Sequence, residues 1–119
     1  MTKYPNRPYN LEERTLVYSR AIINLAKKFS KDLVNIRLIG QLVDAVGSVG
    51  ANYREANEAL SKKDFIHRMK VIRKECKEST YWLELLREAN PNSKDEIDFF
   101  IKESKELRSI FSSIIEKVV

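Results

Sequence analysis

The stretch "VGSVGANYREA", Val46 to Ala56, holds Gly47 and Gly50, two of the three glycines in the chain; the third, Gly40, lies just upstream. Its apolar residues nevertheless keep helical spacing, and a glycine inside a helix costs about 1 kcal/mol relative to alanine. The pair therefore marks a ligand-holding loop, a local bend, or a helix thinned so that a neighbour can approach closely. A phosphate loop is disfavoured, because no strand-like run precedes "GSVG" and no Gly-Lys-Ser/Thr follows it. Small residues continue at Ala45, Ser48 and Ala51. Close packing is thus the expectation: Gly47 and Gly50 thin one face, Tyr53 keeps the core stripe, and Asn52 with Glu55 begins a polar network toward the next helix.

Working outward, Ile39, Leu42, Val43, Val46, Val49, Tyr53 and Ala56 form an apolar stripe straight through both glycines, predicting a helix over about 35–59. Upstream, Asn10 with Glu13 resembles a capping box, and Leu11, Tyr18, Ile22, Leu25 and Phe29 predict a helix over 11–29. Downstream, Ser61 with Asp64 opens a third helix, 62–89, whose stripe is Phe65, Met69, Ile72, Cys76, Leu83 and Leu86. Pro91 in "ANPNS" stops it. Ser93 with Glu96 then caps a fourth, 94–118, carrying Ile97, Phe100, Ile101, Leu107, Phe111, Ile114, Ile115 and Val118. No segment alternates with the two-residue period of a strand. The expected fold is all-α: an up-down-up-down antiparallel four-helix bundle in one domain spanning 1–119.

A chain of 119 residues buries roughly two-thirds of its unfolded surface and needs neither disulfide nor metal. One cysteine, no secretory pattern in "MTKYPNRPYN" and only short apolar runs make a cytoplasmic, non-membrane protein the expectation. The formal net charge is +5, and it is unevenly spread. Residues 1–31 and 62–77 each carry seven Lys/Arg against two acids. Such blocks suit an anionic polymer, and equally a solvated helix face.

Catalytic groups are sparse. His67 is the one histidine, set among charged neighbours, and Cys76 falls on an apolar stripe, where a buried structural thiol is expected. Glu55, Glu75 and Glu78 raise the idea of a di-metal bundle site, but the chain has no Glu-x-x-His motif. The expectation is no metal and no cofactor, with these carboxylates paired to Arg54, Arg73, Lys74 or Lys77 in a partly internal ion network. Tyr81 and Trp82 beside the third stripe, and Phe99 beside Phe100, widen two apolar faces enough to suggest subunit contacts.

The run "LIGQLVDAVGSVGANYREANEALSKKDFIHRMKVIRKECKESTYWLELL", Leu38 to Leu86, resembles the family of 23S rRNA-intervening-sequence proteins, and "NLEERTLVYSRAI" is similar to that family's first helix. Asp44 departs from the pattern, since many members carry a basic residue there. The resemblance implies a cytosolic bacterial four-helix bundle without enzymatic activity, assembled as a homopentameric barrel. A related pentamer, the accessory variability protein of diversity-generating retroelements, engages nucleic acid and a reverse transcriptase, so such partners are implied as well. The leading expectation is a non-catalytic nucleic-acid-binding oligomer favouring RNA. Its candidate contacts are Lys27, Lys28 and Lys31 together with Lys62, Lys63, Arg68, Lys70, Arg73, Lys74 and Lys77. Gly47, Gly50, Asn52, Tyr53, Glu55, Glu75, Glu78, Tyr81 and Trp82 are the candidate packing and oligomer residues. The alternative is a protein–protein scaffold or adaptor with no nucleic-acid role.

Overall fold

The computed structural model describes residues 10–119, so the N-terminal reading of "MTKYPNRPYN" lies almost wholly outside the described residues. Four α-helices follow one another: α1 (Leu11–Ala26), α2 (Leu33–Asn57), α3 (Lys62–Ala89) and α4 (Lys94–Val118), with a 3-10 turn at Pro91–Ser93. Among the described residues there is no strand.

Local chemistry sets most of the helix starts. Asn10 Oδ1 accepts from the Glu13 amide at 3.4 Å, and Ser61 Oγ accepts from the Asp64 amide at 3.0 Å, as their spacing anticipates. Three helix boundaries and one cap differ from expectation. α1 ends at Ala26, and Phe29 still reaches the core from the connection. α2 begins two residues early because Asp32 is its cap, accepting from the Asn35 amide at 2.9 Å, and it ends at Asn57. Ser93 makes no side-chain cap; its amide instead donates to the Asn90 carbonyl, closing the turn that launches α4.

Side-chain pairs between helices give their directions. Asn57 donates to Glu12, so the end of α2 meets the start of α1. Asn35 and Asn90 exchange amide bonds at 3.1 and 2.8 Å, joining the start of α2 to the end of α3. Arg87 binds Asp98 across the turn into α4, and Lys28 reaches Glu96 at 2.7 Å. Successive helices therefore run antiparallel, in a rod of 44 × 27 × 20 Å. α3 packs along both α2 and α4. α1 lies mainly on α2 and is held to α4 by Arg14, whose guanidinium makes two bonds to Glu103 at 2.8 and 2.9 Å.

The anticipated stripes build one core. Ile22, Leu42, Val46, Val49, Met69, Ile72, Leu83, Leu86, Ile97, Leu107 and Phe111 are all fully enclosed. Tyr53 packs on Phe111 with ring centroids 5.6 Å apart, and Tyr18 on Phe100 at 6.3 Å. By length and a mean hydropathy of 1.2, α2 is also apolar enough to cross a membrane. Its apolarity combines this core stripe with exposed Leu33, Val34 and Ile36.

The glycines divide. A methyl group at Gly50 would meet Thr15 Oγ1 at 3.4 Å, an ordinary van der Waals contact, so α1 lies over this position without requiring a glycine there. Gly47 is exposed, with nothing within 4 Å of its would-be β-carbon, and it thins no contact inside the bundle. Both have ordinary helical backbones, since no glycine adopts positive φ among the described residues. Gly47→Ala is therefore expected to stabilise the fold by about 0.5–1 kcal/mol in urea denaturation. A loss of stability would show instead that another helix occupies that face.

Candidate nucleic-acid interface

α3 follows a strict heptad rhythm. Met69, Ile72, Cys76, Ser79, Leu83 and Leu86 alternate steps of three and four residues, and all are buried. The same rhythm, displaced by half a turn, carries Lys63, His67, Lys70, Lys74, Lys77, Tyr81, Glu84 and Glu88 along the opposite side, and all eight are exposed. They form one straight row, because a spacing of about 3.5 residues keeps side chains aligned along a helix. The flanks belong to the neighbouring helices. Arg68 and Glu75 turn toward α2; Thr80 and Arg87 meet α4. Arg73, half-buried, shares the heptad position of Thr80 and Arg87.

Most of the row's cations are uncommitted. Lys63, Lys70 and Lys77 make no ion pair among the described residues, and Lys74 approaches Glu78 at 3.7 Å on the surface. Lys62, exposed in the first turn of α3, stands at the heptad position of Met69 and Cys76 rather than on the row. Cations in that turn add to the positive end of the helix dipole rather than offsetting it. Arg108, exposed on α4, lies close enough to Cys76 for its charge to be felt by the thiol, which places it beside the same helix. It was not anticipated, because its sequence neighbours "KELRS" carry no basic block.

Antiparallel folding separates the two basic blocks. Lys27, Lys28 and Lys31 lie at the end where α1 finishes and α2 begins, opposite the end at which Lys62 and Lys63 start α3. Lys28 is moreover paired with Glu96. They therefore do not share a surface with the first turns of α3. Lys3 and Arg7 of the same block lie outside the described residues.

The anticipated carboxylate network is rearranged. Asn52 does bridge α2 to α3, but its partner is Arg68, which donates to Asn52 Oδ1 at 2.9 Å. The Asn52 amide holds Ser48, and the Ser48 hydroxyl donates to Glu75 at 3.2 Å. Glu55 and Arg54 are exposed and stand outside this network, because the helical turn that aims Asn52 at α3 rotates both outward. Glu78 makes a surface pair with Lys74. No three His, Cys, Asp or Glu side chains gather as a metal-binding group among the described residues.

Burial shifts two groups capable of covalent chemistry, Cys76 and Tyr18, toward their neutral forms. Desolvation pushes the Cys76 thiol up to about 12, so it stays protonated at neutral pH. Burial likewise raises the Tyr18 phenol well above its ordinary value; among the described residues its hydroxyl has no partner at hydrogen-bond geometry, although Ser104 is near enough to oppose part of that rise. A surface depression of about 740 Å³ runs along α4 between Arg14, Ile101, Lys105 and Ile110 and is open to solvent. Trp82 is half-buried against the core, whereas Tyr81 is 55% exposed, its ring edge-on to Trp82 at 5.3 Å.

An all-α protein of four successive helices, with a cationic outer face on α3, is the class these features define. The family model for 23S rRNA-intervening sequence proteins matches residues 10–113, and the chain belongs to that family. Its fold is also similar to the crystal structure of a protein of unknown function from the S23 ribosomal protein family of Bacteroides thetaiotaomicron. The two share 32% identity with a TM-score of 0.78, over 87% of this chain and 96% of that one. No curated protein matches the chain.

Proposed function

We propose that this chain is a non-catalytic, oligomeric nucleic-acid-binding protein that favours RNA and binds through the outer face of α3. The row Lys63, His67, Lys70, Lys74 and Lys77 carries this reading, because it concentrates positive charge on one exposed line that the fold does not use for itself. Lys62 and Lys63 strengthen it: cations in a first helical turn weaken the helix by a few tenths of a kcal/mol, a cost that an anionic ligand would offset. The family's description, which refers to an intervening sequence in 23S rRNA, supports RNA as the polymer. Absence of catalysis accords with the enclosed Cys76 and Tyr18.

The oligomer is a homopentamer in this reading. Its contacts fall on exposed apolar side chains, with Ile23, Leu33, Val34, Ile36 and Phe99 all at the end of the rod opposite Lys62. These same side chains favour the second reading, a protein scaffold or adaptor, whose partner would be a different protein.

Two measurements separate the readings. Fluorescence anisotropy with a labelled RNA and a DNA of the same sequence is expected to show binding that weakens steeply with salt. Replacing Lys70, Lys74 and Lys77 together with Gln is expected to weaken it by about tenfold or more while the circular dichroism is unchanged. No binding at low salt would overturn the nucleic-acid reading. Multi-angle light scattering is expected to return about five times the 13.9 kDa chain mass, and a monomer at micromolar concentration would refute the pentamer.

A further inference from the structure

We infer that the α3 row is built for an unpaired strand, which it holds by its phosphates along Lys63, Lys70, Lys74 and Lys77 and ends by stacking one base on Tyr81. This rests on the nucleic-acid reading above and narrows it to a single-stranded ligand.

Shape comes first. The cations lie on a line one side chain wide, with steps of about 5–6 Å from Lys70 to Lys74 to Lys77 and about 10 Å from Lys63 to Lys70. From Lys63 to Tyr81 the line runs about 27 Å along the helix. A duplex strand winds away from a straight line, its phosphates rising about 3.4 Å each along the axis. It would touch such a row at only a few points. A helix seated in a major groove needs cations on both flanks to meet both phosphate walls. Here α2 and α4 cover those flanks, where Arg68 is bound to Asn52 and Arg87 to Asp98. An unpaired strand has no fixed rise and can match its extension to the row.

Tyr81 supplies the second observation. It is the next residue of the row after Lys77, and at 55% exposure it is among the most exposed aromatic side chains of the described chain. Trp82, anchored against the core, meets it edge-on at 5.3 Å, which braces the ring without enclosing it. Such a braced, open ring beside a file of cations is the arrangement by which unpaired bases are held, stacking on aromatic faces while the backbone follows the charge.

The row also ends there. Beyond Tyr81 its next members are Glu84 and Glu88, both exposed. Phosphates would be repelled from that point on, so the strand is held over Lys63 to Lys77 and its last contacted base meets Tyr81. A binding site of about four to six nucleotides follows.

The test compares unpaired oligonucleotides of eight to ten nucleotides (about that length suffices for the site) with blunt hairpins of equal phosphate count. RNA and DNA versions of both are used against the full chain. The expected result is tighter binding of the unpaired strands, with a logarithmic salt slope of about −3 for four neutralised phosphates. Tyr81→Ala is expected to weaken the unpaired strand between about fivefold and a hundredfold and leave the hairpin unchanged, while Tyr81→Phe restores binding. Equal or tighter hairpin binding, or an unaffected Tyr81→Ala, overturns this inference and leaves the broader nucleic-acid reading standing. Failure of every oligonucleotide to bind at low salt overturns both. Preference of RNA over DNA among the unpaired strands identifies the sugar that the site admits.

Discussion

The structure depends on the way α3 must be buried. It is the helix packed along both α2 and α4, and its heptad rhythm places Met69, Ile72, Cys76, Ser79, Leu83 and Leu86 on one inward line. Each fully enclosed Leu or Ile contributes about 1.5–3 kcal/mol, so the rotation of α3 about its axis is strongly set. Once that line faces inward and two neighbours take the flanks, the residues half a turn away must face water in an equally straight line. The cationic row is therefore a consequence of core burial. What is particular to this sequence is that the outward line holds Lys63, His67, Lys70, Lys74, Lys77 and Tyr81 before it turns to Glu84 and Glu88.

The same burial organises the ends of the rod. Asn35 is fully buried, and its side-chain amide is satisfied by reciprocal bonds with Asn90, by Ser30 of the α1–α2 connection and by Asp32. A buried amide left without partners would cost about 1–3 kcal/mol, so this pair fixes how the start of α2 meets the end of α3. At the opposite end α2 and α3 are joined by the Arg68–Asn52 bond, and there the first cations of the row emerge. α1 is the least embedded helix, held to α4 by the two-pronged Arg14–Glu103 pair, whose hydrogen bonds raise the Arg14 pKa further. Function, in this account, sits on the helix that is most firmly held.

The core was readable from periodicity because burial obeys a local rule: Leu42, Val46, Ile72 and Leu107 stand where their spacing puts them. Features that depend on rotation or on distant partners were not. Gly47 and Gly50 look alike in the sequence, yet Gly50 meets Thr15 while Gly47 faces solvent, and only the position of α1 separates them. Asn52 reaches α3 through Arg68 and, by way of Ser48, through Glu75, whereas Glu55 stands outside that network. The two basic blocks were both candidates for nucleic-acid contact because composition alone singles them out. Antiparallel succession of helices already implied that Lys27 to Lys31 and Lys62 to Lys63 lie apart. Arg108 was overlooked since its relation to α3 arises only through packing.

The central claim is that nucleic acid lies along the outer row of α3, and its position is read most directly by photo-cross-linking a uridine-rich single-stranded RNA to the protein and mapping the adducts by mass spectrometry. The account predicts adducts on the peptides that span Lys63 to Tyr81, with Tyr81 itself modified. Adducts confined to the opposite end, around Lys27 to Lys31, or to α4 alone would contradict it.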